Sequence, residues 1–238
     1  MSRLVTYNME QGSEEWLQVR CGVATASTIS AMLTPTGKVA ENQTSRSMIS
    51  ELAAERLTGR PPEPIWSRDI ERGHLDEPIA REIYEEHAGV EVEEVGFMVS
   101  GYIARGEGED VNTGHDLGYS PDGLVGEYGL IEIKSRKPKL HLWYVLTGQI
   151  PFAHMVQMQT GMLVSGRTWC DYISYCGGLP MHIQRVYADS QMSENILQAA
   201  SHLEREVEQT MIKFKELTRE MPETEYVDHF GDDLELIL

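Results

Sequence analysis

Apolar residues in the N-terminal part of the chain recur every three or four positions, the spacing of an amphipathic helix. This spacing predicts helices over 48–57 and 70–88, because Gly59 and Gly89 follow them as stop signals. A shorter helix is predicted to begin after Ser27, whose hydroxyl is suited to cap the first free backbone N–H groups. The N-terminal part is therefore expected to be mainly helical.

Alternating apolar and polar residues predict strands further along the chain. They occupy 90–99, 102–104, 130–134, 168–175 and 181–187. Helical spacing returns over 149–164 and again over 196–214, whereas 106–118 is acidic and rich in glycine, which predicts a loop. This order of elements favours an α/β or α+β domain with a mixed central β-sheet flanked by helices.

The composition is that of an ordinary globular protein, since 41% of its 238 residues are hydrophobic and 24% are charged. The simplest division is one domain over 1–219 and an acidic tail over 220–238. No apolar run approaches the length of a membrane-spanning helix, and the first residues lack the pattern of a signal peptide. Three cysteines at irregular spacings provide neither a disulfide framework nor a zinc or iron–sulfur motif. A cytoplasmic protein without a membrane partner is expected.

The net charge of −18 argues against a protein that coats nucleic acid, because a phosphate backbone requires a positive surface. Seven acids, without a lysine or arginine, lie in the tail 220–238. In contrast, four cations lie within six residues: Lys134, Arg136, Lys137 and Lys139. DNA binding at this basic strip, with weak binding elsewhere, is compatible with both observations.

Two carboxylates and a lysine form the most informative pattern in the chain. Asp122 lies in a Pro-Asp-Gly turn, ten residues before Glu132. Since strand side chains alternate between faces, Glu132 and Lys134 share one face, and a hairpin would bring Asp122 beside them. Carboxylates suit Mg²⁺, which lowers the pKa of a bound water, and an ammonium stabilises charge on a pentacovalent phosphate. Each feature alone is common in structural settings, but together they predict phosphodiester hydrolysis.

The same residues carry a family resemblance. The segments 120–123 and 131–134 resemble the core motif of PD-(D/E)xK nucleases. Four blocks in a fixed order resemble the lambda exonuclease, or YqaJ-type viral recombinase, family: 16–27, 73–81, 122–134 and 155–162. The resemblance implies a restriction-endonuclease-like core, in which helices flank a mixed central sheet.

The resemblance also implies a catalytic centre. Asp122 and Glu132 match the metal-binding carboxylates, and the backbone carbonyl of Ile133 is a further ligand. Lys134 matches the catalytic lysine. Glu77 matches a helical acid that completes the metal site, although it is alternatively one of several solvated acids on its helix. The implied cofactor is Mg²⁺, with Mn²⁺ as an alternative.

Further residues are assigned around that centre by the same resemblance. Gln157 matches a glutamine that helps to organise the active site, and Gln159 competes with it for this role. Independently of the resemblance, the positive charges of Arg136 and Lys137 in the basic strip are expected to contact the DNA backbone close to the chemistry. For Arg136 a purely structural role is an equal alternative.

Two residues near the N-terminus match groups that hold a DNA 5′-phosphate in the family, namely Arg20 and Ser27. Physical chemistry agrees, because a guanidinium binds phosphate in bidentate fashion and a helix N-terminus offers free N–H groups. The alternatives are a surface ion pair of Arg20 with Glu14 or Glu15 and a capping role alone for Ser27. Trp16 is expected to belong to the core instead of stacking on a base.

The resemblance implies a metal-dependent exodeoxyribonuclease of a phage or prophage in a bacterial host. Such an enzyme digests one strand of linear double-stranded DNA 5′ to 3′ and leaves a 3′ overhang for recombination. The expected partners are DNA ends, a single-strand annealing protein and further copies of the chain in a trimeric ring. The alternatives are a related endonuclease or repair nuclease and a non-catalytic acidic module that binds DNA or protein.

Overall fold

The computed structural model describes residues 4–63, 66–106 and 109–227, and over 102–106 and 109–115 it describes the backbone alone. The helices in this part are α1 (Glu14–Arg20), α2 (Gln43–Thr58), α3 (Arg68–Ala88), α4 (Pro138–Thr147), α5 (Phe152–Ser165) and α6 (Ser190–Thr218). The strands are β1 (Leu4–Tyr7), β2 (Ala24–Thr25), β3 (Val92–Glu93), β4 (Phe97–Gly106), β5 (Glu109–Tyr119), β6 (Gly123–Val125), β7 (Gly129–Ser135), β8 (Trp169–Tyr175) and β9 (His182–Tyr187).

The strands form two sheets where the sequence predicted one. The first sheet has the order β1-β4-β5-β2 and the second has the order β3-β6-β7-β8-β9. Both are mixed, because β2 runs parallel to β5 and β7 runs parallel to β8, while the other neighbours are antiparallel. The predicted class, mixed α/β with flanking helices, is therefore confirmed. In the described part of the chain, no helix has the length and hydrophobicity needed to cross a membrane.

The two long N-terminal helices end where the sequence predicted. Gly59 and Gly89 follow α2 and α3 in the left-handed conformation, each with a φ of 66°, which costs glycine little. Asn42 and Ser45 form a capping box at the start of α2, and Ser67 caps α3. Local signals therefore fix the ends of the helix that carries Glu77.

The helix predicted after Ser27 is only a short 3-10 helix, Ile29–Met32, and Ser27 does not cap it. Its N-cap is Thr28, whose side chain donates to the carbonyl of Thr25 and accepts from the N–H of Thr25, both at 3.1 Å. Because this local turn engages Thr28, the helix start has no side-chain cap. Ser27 is exposed, with its Oγ 3.1 Å from the hydroxyl of Thr25.

The loop predicted over 106–118 is wrong, because β5 occupies Glu109–Tyr119 and pairs antiparallel with β4. The register runs from Met98 opposite Tyr119 to Gly106 opposite Glu109. Glycines and acids in this segment lower its strand propensity, but backbone pairing with a neighbouring strand overrides it. The side chains of the acidic part, 106–115, lie outside those described. Of the predicted tail, 220–227 has no helix or strand and 228–238 lies outside the described residues.

Two groups of buried side chains cover opposite faces of the second sheet. The larger group joins both sheets to α5 and α6 and includes Leu117, Leu130, Met158 and Leu203. The smaller group packs α3 against β7 and β8 through Tyr84, Ile131, Ile133 and Ile173. The isoleucines of β7 thus face α3, as the alternating pattern predicted, and Glu132 faces the opposite side.

Candidate active site

A tight hairpin brings the two predicted carboxylates together. β6 and β7 pair antiparallel with Gly123 opposite Ile131, so that Asp122 lies beside the middle of β7. The Asp122 Oδ2 atom accepts the backbone N–H of Ile133 at 2.6 Å. Burial nevertheless raises the pKa of Asp122, against the opposing influence of the Lys134 charge. The hairpin predicted from the sequence is therefore confirmed in its role of joining Asp122 to Glu132.

Glu132 is fully buried next to the ammonium of Lys134. The Lys134 Nζ atom lies 2.5 Å from Glu132 Oε1, and no described residue donates a hydrogen bond to Oε2. Burial raises the pKa of Glu132 to about 7, and repulsion from Asp122 adds to this effect. Burial disfavours the charge of Lys134, but the two carboxylates outweigh it and raise the lysine pKa. A buried oxygen without a donor is costly, so this atom is suited to a cation.

Glu77 reaches the same site from α3. Burial, followed by the charge of Asp122, raises the pKa of Glu77 to about 7. Arg81 lies one turn further along the helix and donates to Glu77 Oε1 at 2.6 Å and to the Asp122 carbonyl at 3.1 Å. It also pairs with Glu94 at 2.7 Å. Arg81 therefore holds Glu77 against the turn that carries Asp122. The sequence indicates this contact only through the spacing of four residues between Glu77 and Arg81, which places them on one face of a helix.

The donor set of this site fits a divalent cation of the magnesium type. Among the side chains described, no three His, Cys, Asp or Glu residues converge as the ligand set of a metal. Asp122 and Glu132, held together by the hairpin, nevertheless supply two carboxylates, and the carbonyl of Ile133 belongs to the residue that directly follows Glu132. Mg²⁺ is commonly held by one or two carboxylates, with waters and substrate oxygens completing its octahedron. The residues present therefore fit Mg²⁺ or Mn²⁺.

Arg20 lies at the end of α1 next to the turn that carries Asp122. Its NH1 atom donates to Ser120 Oγ at 2.9 Å, and its guanidinium carbon lies 4.1 Å from the centre of the Trp16 ring. Burial lowers its pKa to about 10, so the group stays charged at neutral pH. The alternative ion pairs with Glu14 and Glu15 are not formed, so Arg20 has no carboxylate within ion-pair distance among the described residues.

Trp16 and Ser27 complete the surroundings of Arg20. Trp16 does not lie in the core as predicted, because it is half-buried and belongs to neither group of buried side chains. Its indole donates to the Gly96 carbonyl at 3.0 Å and to Ser120 Oγ at 3.1 Å. Ser27 follows β2, which runs parallel to β5, and the N–H of Ala26 donates to the Gly118 carbonyl at 2.8 Å. Gly118, the partner of Ala26, lies two residues before Ser120, the partner of Arg20. Ser27 and Arg20 therefore both lie near the C-terminal end of β5.

The structure separates the two competing glutamines. Gln159 is buried, donates to the Tyr187 carbonyl at 2.8 Å and accepts the N–H of Asp189 at 2.9 Å. These bonds hold the connection between β9 and α6, which is a structural role. Gln157 is half-buried and makes no side-chain hydrogen bond to the residues that the structure describes. Gln157 is therefore the glutamine of α5 that is available to a ligand.

The two predicted strip residues lie in different surroundings. Arg136 NH2 donates to Tyr172 Oη at 2.6 Å and to His154 Nδ1 at 3.0 Å, so its guanidinium is engaged inside the protein. This geometry favours the structural alternative for Arg136. Lys137 is exposed and pairs with Asp69 on α3 at 2.9 Å, a weak surface contact that a phosphate can replace. No local sequence pattern indicated His154 or Tyr172, because their contact joins α5 to β8.

Residues 15–168 match the family model of the YqaJ-like viral recombinase domain. The structure resembles that of an alkaline exonuclease, LHK-Exo, from Laribacter hongkongensis, with a TM-score of 0.73, 31% identity and coverage of 88% of this chain and 100% of that chain. The same enzyme in complex with dAMP matches with a TM-score of 0.74, 31% identity and the same coverage.

A phage-related exonuclease from Haemophilus somnus 129PT shares the fold, with a TM-score of 0.54, 11% identity and coverage of 81% of this chain and 96% of that chain. Among curated proteins, no match is found. The mixed α/β fold with two mixed sheets is thus that of exonucleases of the PD-(D/E)xK type. Because the family model spans well over half of the sequence, this chain belongs to the YqaJ-like viral recombinase family.

Proposed function

We propose that this protein is a metal-dependent exodeoxyribonuclease that digests one strand of linear duplex DNA 5′ to 3′. The observation that carries the proposal is the joint placement of Asp122, Glu132 and Lys134, with a buried carboxylate oxygen of Glu132 that no described residue satisfies. The similarity to an alkaline exonuclease and its complex with dAMP supports a nucleotide product.

The chemistry follows from the charges that the site holds. A divalent cation bound at Asp122 and Glu132 supplies a Lewis acid for the scissile phosphate and a water of lowered pKa. Lys134 remains an ammonium because two carboxylates raise its pKa, and Glu132 holds it in place at 2.5 Å. Its remaining N–H groups orient the attacking water and stabilise the negative charge that develops on the phosphate oxygens. Glu77 completes the acidic rim from α3.

The 5′ polarity rests on the surroundings of Arg20. A guanidinium with no carboxylate within ion-pair distance in the described chain, held by Ser120 and Trp16, is prepared to bind a terminal phosphate. The hydroxyl of Ser27, exposed near the same end of β5, is the second proposed contact. Holding a 5′-phosphate there places the next phosphodiester toward Asp122, because Ser120 lies two residues before that acid.

The proposed assembly is a trimeric ring that works with a single-strand annealing protein in phage-type recombination. The chain carries a net charge of −18, which disfavours general binding to a polyanion. A closed ring keeps such a protein on DNA by topology instead of by charge. The overhang left by digestion is the substrate that an annealing protein requires.

End-labelled duplex DNA tests this proposal. A linear duplex labelled at the 5′ or the 3′ end is incubated with Mg²⁺, Mn²⁺ or EDTA, beside a covalently closed circle. The proposal predicts early release of the 5′ label as a mononucleotide with either metal, no release in EDTA and an intact circle. Cleavage of the circle indicates an endonuclease instead, early release of the 3′ label reverses the polarity, and inactivity with both metals favours a non-catalytic module.

A further inference from the structure

A polar cluster lies beside Lys134 and has no part in the proposed chemistry. Tyr172 is fully buried on β8, opposite Glu132 of β7. Its hydroxyl accepts from Arg136 NH2 at 2.6 Å and lies 2.7 Å from His154 Nδ1. Arg136 NH2 also lies 3.0 Å from the same nitrogen of His154. Two groups therefore meet at one imidazole nitrogen.

The partners of His154 determine where its proton lies. A guanidinium can only donate, so Nδ1 must accept from Arg136. The Tyr172 hydroxyl accepts from Arg136, so its own hydrogen is free to point at Nδ1, where it shares the single lone pair with the Arg136 hydrogen. A neutral imidazole with Nδ1 as acceptor carries its hydrogen on Nε2. The cluster thus selects one tautomer of His154.

The charges around His154 keep the ring neutral. Burial, followed by the positive charges of Lys134 and Arg136, lowers the pKa of His154 to about 3. Arg136 follows β7, Tyr172 lies on β8, and the neighbouring ring on α4 is that of Tyr144, whose centre lies 5.4 Å from the Arg136 guanidinium. None of these groups is an acid that would favour an imidazolium.

The free side of the ring points away from this cluster. His154 is half-buried, and no described residue forms a hydrogen bond to Nε2. On α5 it lies three residues before Gln157, so the two side chains are neighbours on one face of the helix. Gln157 also has no hydrogen-bond partner among the described residues, so two polar groups lie side by side on this face of α5. Of the two, His154 lies close enough to Lys134 for the lysine charge to act on it.

We propose that His154 is a substrate-positioning residue, in which Arg136 and Tyr172 hold Nδ1 so that a neutral Nε2–H, beside Gln157, donates to a phosphate oxygen of the bound DNA strand. This inference rests on the proposed function, since it places the strand at the Glu132–Lys134 site. A neutral donor adds a hydrogen bond to the phosphate without adding a further positive charge beside Lys134 and Arg136.

The first test is the ring itself, in the full-length protein. Long-range ¹H–¹⁵N correlation spectra of histidine-labelled protein report the tautomer, with His154 identified by the signal missing from His154→Gln. The expected result is an Nε2–H tautomer that does not titrate between pH 6 and pH 8. An Nδ1–H tautomer, or a titration midpoint near the ordinary histidine value of about 6.5, overturns the proposal.

The second test measures binding of a fluorescein-labelled linear duplex by anisotropy in Ca²⁺. His154→Phe is expected to weaken binding about tenfold, because a hydrogen bond to a charged group is lost. His154→Gln, which keeps a donor, is expected to restore most of the affinity. The matched control is His87→Gln, at an exposed position near the end of α3, which is expected to bind as the unaltered protein does.

Digestion by the unaltered protein with Mg²⁺ separates the two ways in which this account can fail. If the unaltered protein does not digest linear duplex, the proposed function fails, whatever the anisotropy shows. If it does digest the duplex but His154→Phe binds with unchanged affinity, the role of His154 fails alone. If the unaltered protein does not bind the duplex, the role of His154 is overturned as well.

Discussion

Two buried carboxylates on neighbouring strands of the second sheet have very different surroundings. Asp171 on β8 is 4% exposed and accepts three hydrogen bonds, two from Arg185 at 2.8 Å and one from the Tyr84 hydroxyl at 2.7 Å. Glu132 on β7 is 0% exposed and has the Lys134 ammonium at one oxygen and no described donor at the other. The protein thus supplies hydrogen bonds to both oxygens of Asp171, but leaves one oxygen of Glu132 without a donor among the described residues.

This difference distinguishes a structural acid from a ligand-binding one. Burying a carboxylate is tolerated when hydrogen bonds and a counter-charge replace its water, as they do for Asp171. The hydrogen bonds and counter-charge around Glu132 do not fully replace its water. The pKa of Glu132 is therefore raised, because burial and the neighbouring acids outweigh the charge of Lys134. A protein keeps such a site at a cost in stability, and a bound cation removes that cost.

The largest expected effect is on catalysis, from Glu132→Gln. The substitution removes the charge that holds the cation but keeps the shape of the side chain, so the rate of DNA digestion is expected to fall by a factor of about 10³ or more. The melting temperature without metal is expected to stay level or rise, because a repelling buried charge is lost. Steady-state digestion and thermal melting check the two halves of this prediction.

The control for that substitution is Glu127→Gln, at an exposed acid in the turn of the same hairpin. It removes the same charge without touching the site, so digestion is expected to continue at the unaltered rate. Loss of activity in both variants would mean that the hairpin, and not the carboxylate, is responsible.

The pH dependence of stability is the second expected effect. An acid whose pKa is raised on folding, as that of Glu132 is to about 7, holds its proton more tightly in the folded protein than in the unfolded chain. Its contribution to the free energy of unfolding is fully present below the pKa of the unfolded chain, near 4.5. This contribution is lost as pH rises through the folded pKa of about 7, a change of about 3 kcal/mol. Chemical denaturation in EDTA at pH 5.5 and pH 8 is expected to show about 2 kcal/mol of this change, the part that falls between pH 5.5 and pH 7.

The unaltered protein should therefore lose stability relative to Glu132→Gln as pH rises, and Mg²⁺ should reverse that loss at pH 8. Glu77, whose pKa is also raised to about 7, contributes in the same direction. Parallel pH profiles for the two proteins would show that Glu132 is an ordinary, well-solvated acid.

Asp171→Asn is expected to have the opposite effect, a loss of stability without a loss of DNA digestion. Two charge-assisted hydrogen bonds weaken and Tyr84 loses its strong acceptor. Because the Arg185 side chain is 44% exposed and regains water, the expected loss is about 2 kcal/mol, less than for a fully buried pair. Urea unfolding measures the loss, and digestion well below the melting temperature is expected to be near normal. A stable but inactive variant would contradict the distinction.

The smallest expected effect extends the comparison to two arginines. Arg56 makes a bidentate ion pair with Glu204 at 2.5 and 2.7 Å, whereas Arg20 contacts Ser120 and aromatic rings and has no ion pair among the described residues. Arg20→Lys is expected to reduce the preference for 5′-phosphorylated over 5′-hydroxyl ends about tenfold, because a bidentate contact is lost. Arg56→Lys is expected to lower the melting temperature and leave that preference unchanged. Competition between the two kinds of duplex end measures it.

The sequence predicted what depends on neighbours in the chain. Gly59 and Gly89 end their helices because a left-handed residue is needed there, and the alternation along β7 separates Ile131 from Glu132. The hairpin follows from the short distance between Asp122 and Glu132. Each of these features is decided within about ten residues, so a single sequence is sufficient to predict it.

Features that depend on distant partners were missed or wrong. The segment of β5 was predicted as a loop because of its glycines and acids. It is a strand because it pairs with β4, which its composition does not reveal. The cap predicted at Ser27 is an error of another kind, because a local turn between Thr28 and Thr25, three residues apart, leaves that helix start without a side-chain cap. The contact between His154 and Tyr172 joins elements far apart in the chain, so no local pattern indicated it.

The central claim is that the incomplete carboxylate, Glu132, holds the cation that drives hydrolysis. The most direct measurement is Mg²⁺-dependent digestion of linear duplex by three proteins in parallel: the unaltered chain, Glu132→Gln and Asp171→Asn, all below their melting temperatures. The expected result is Mg²⁺-dependent digestion by the unaltered chain and by Asp171→Asn, and digestion by Glu132→Gln that is slower by a factor of about 10³ or more. Digestion that persists in EDTA, or that proceeds at a near-normal rate in Glu132→Gln, would contradict the claim.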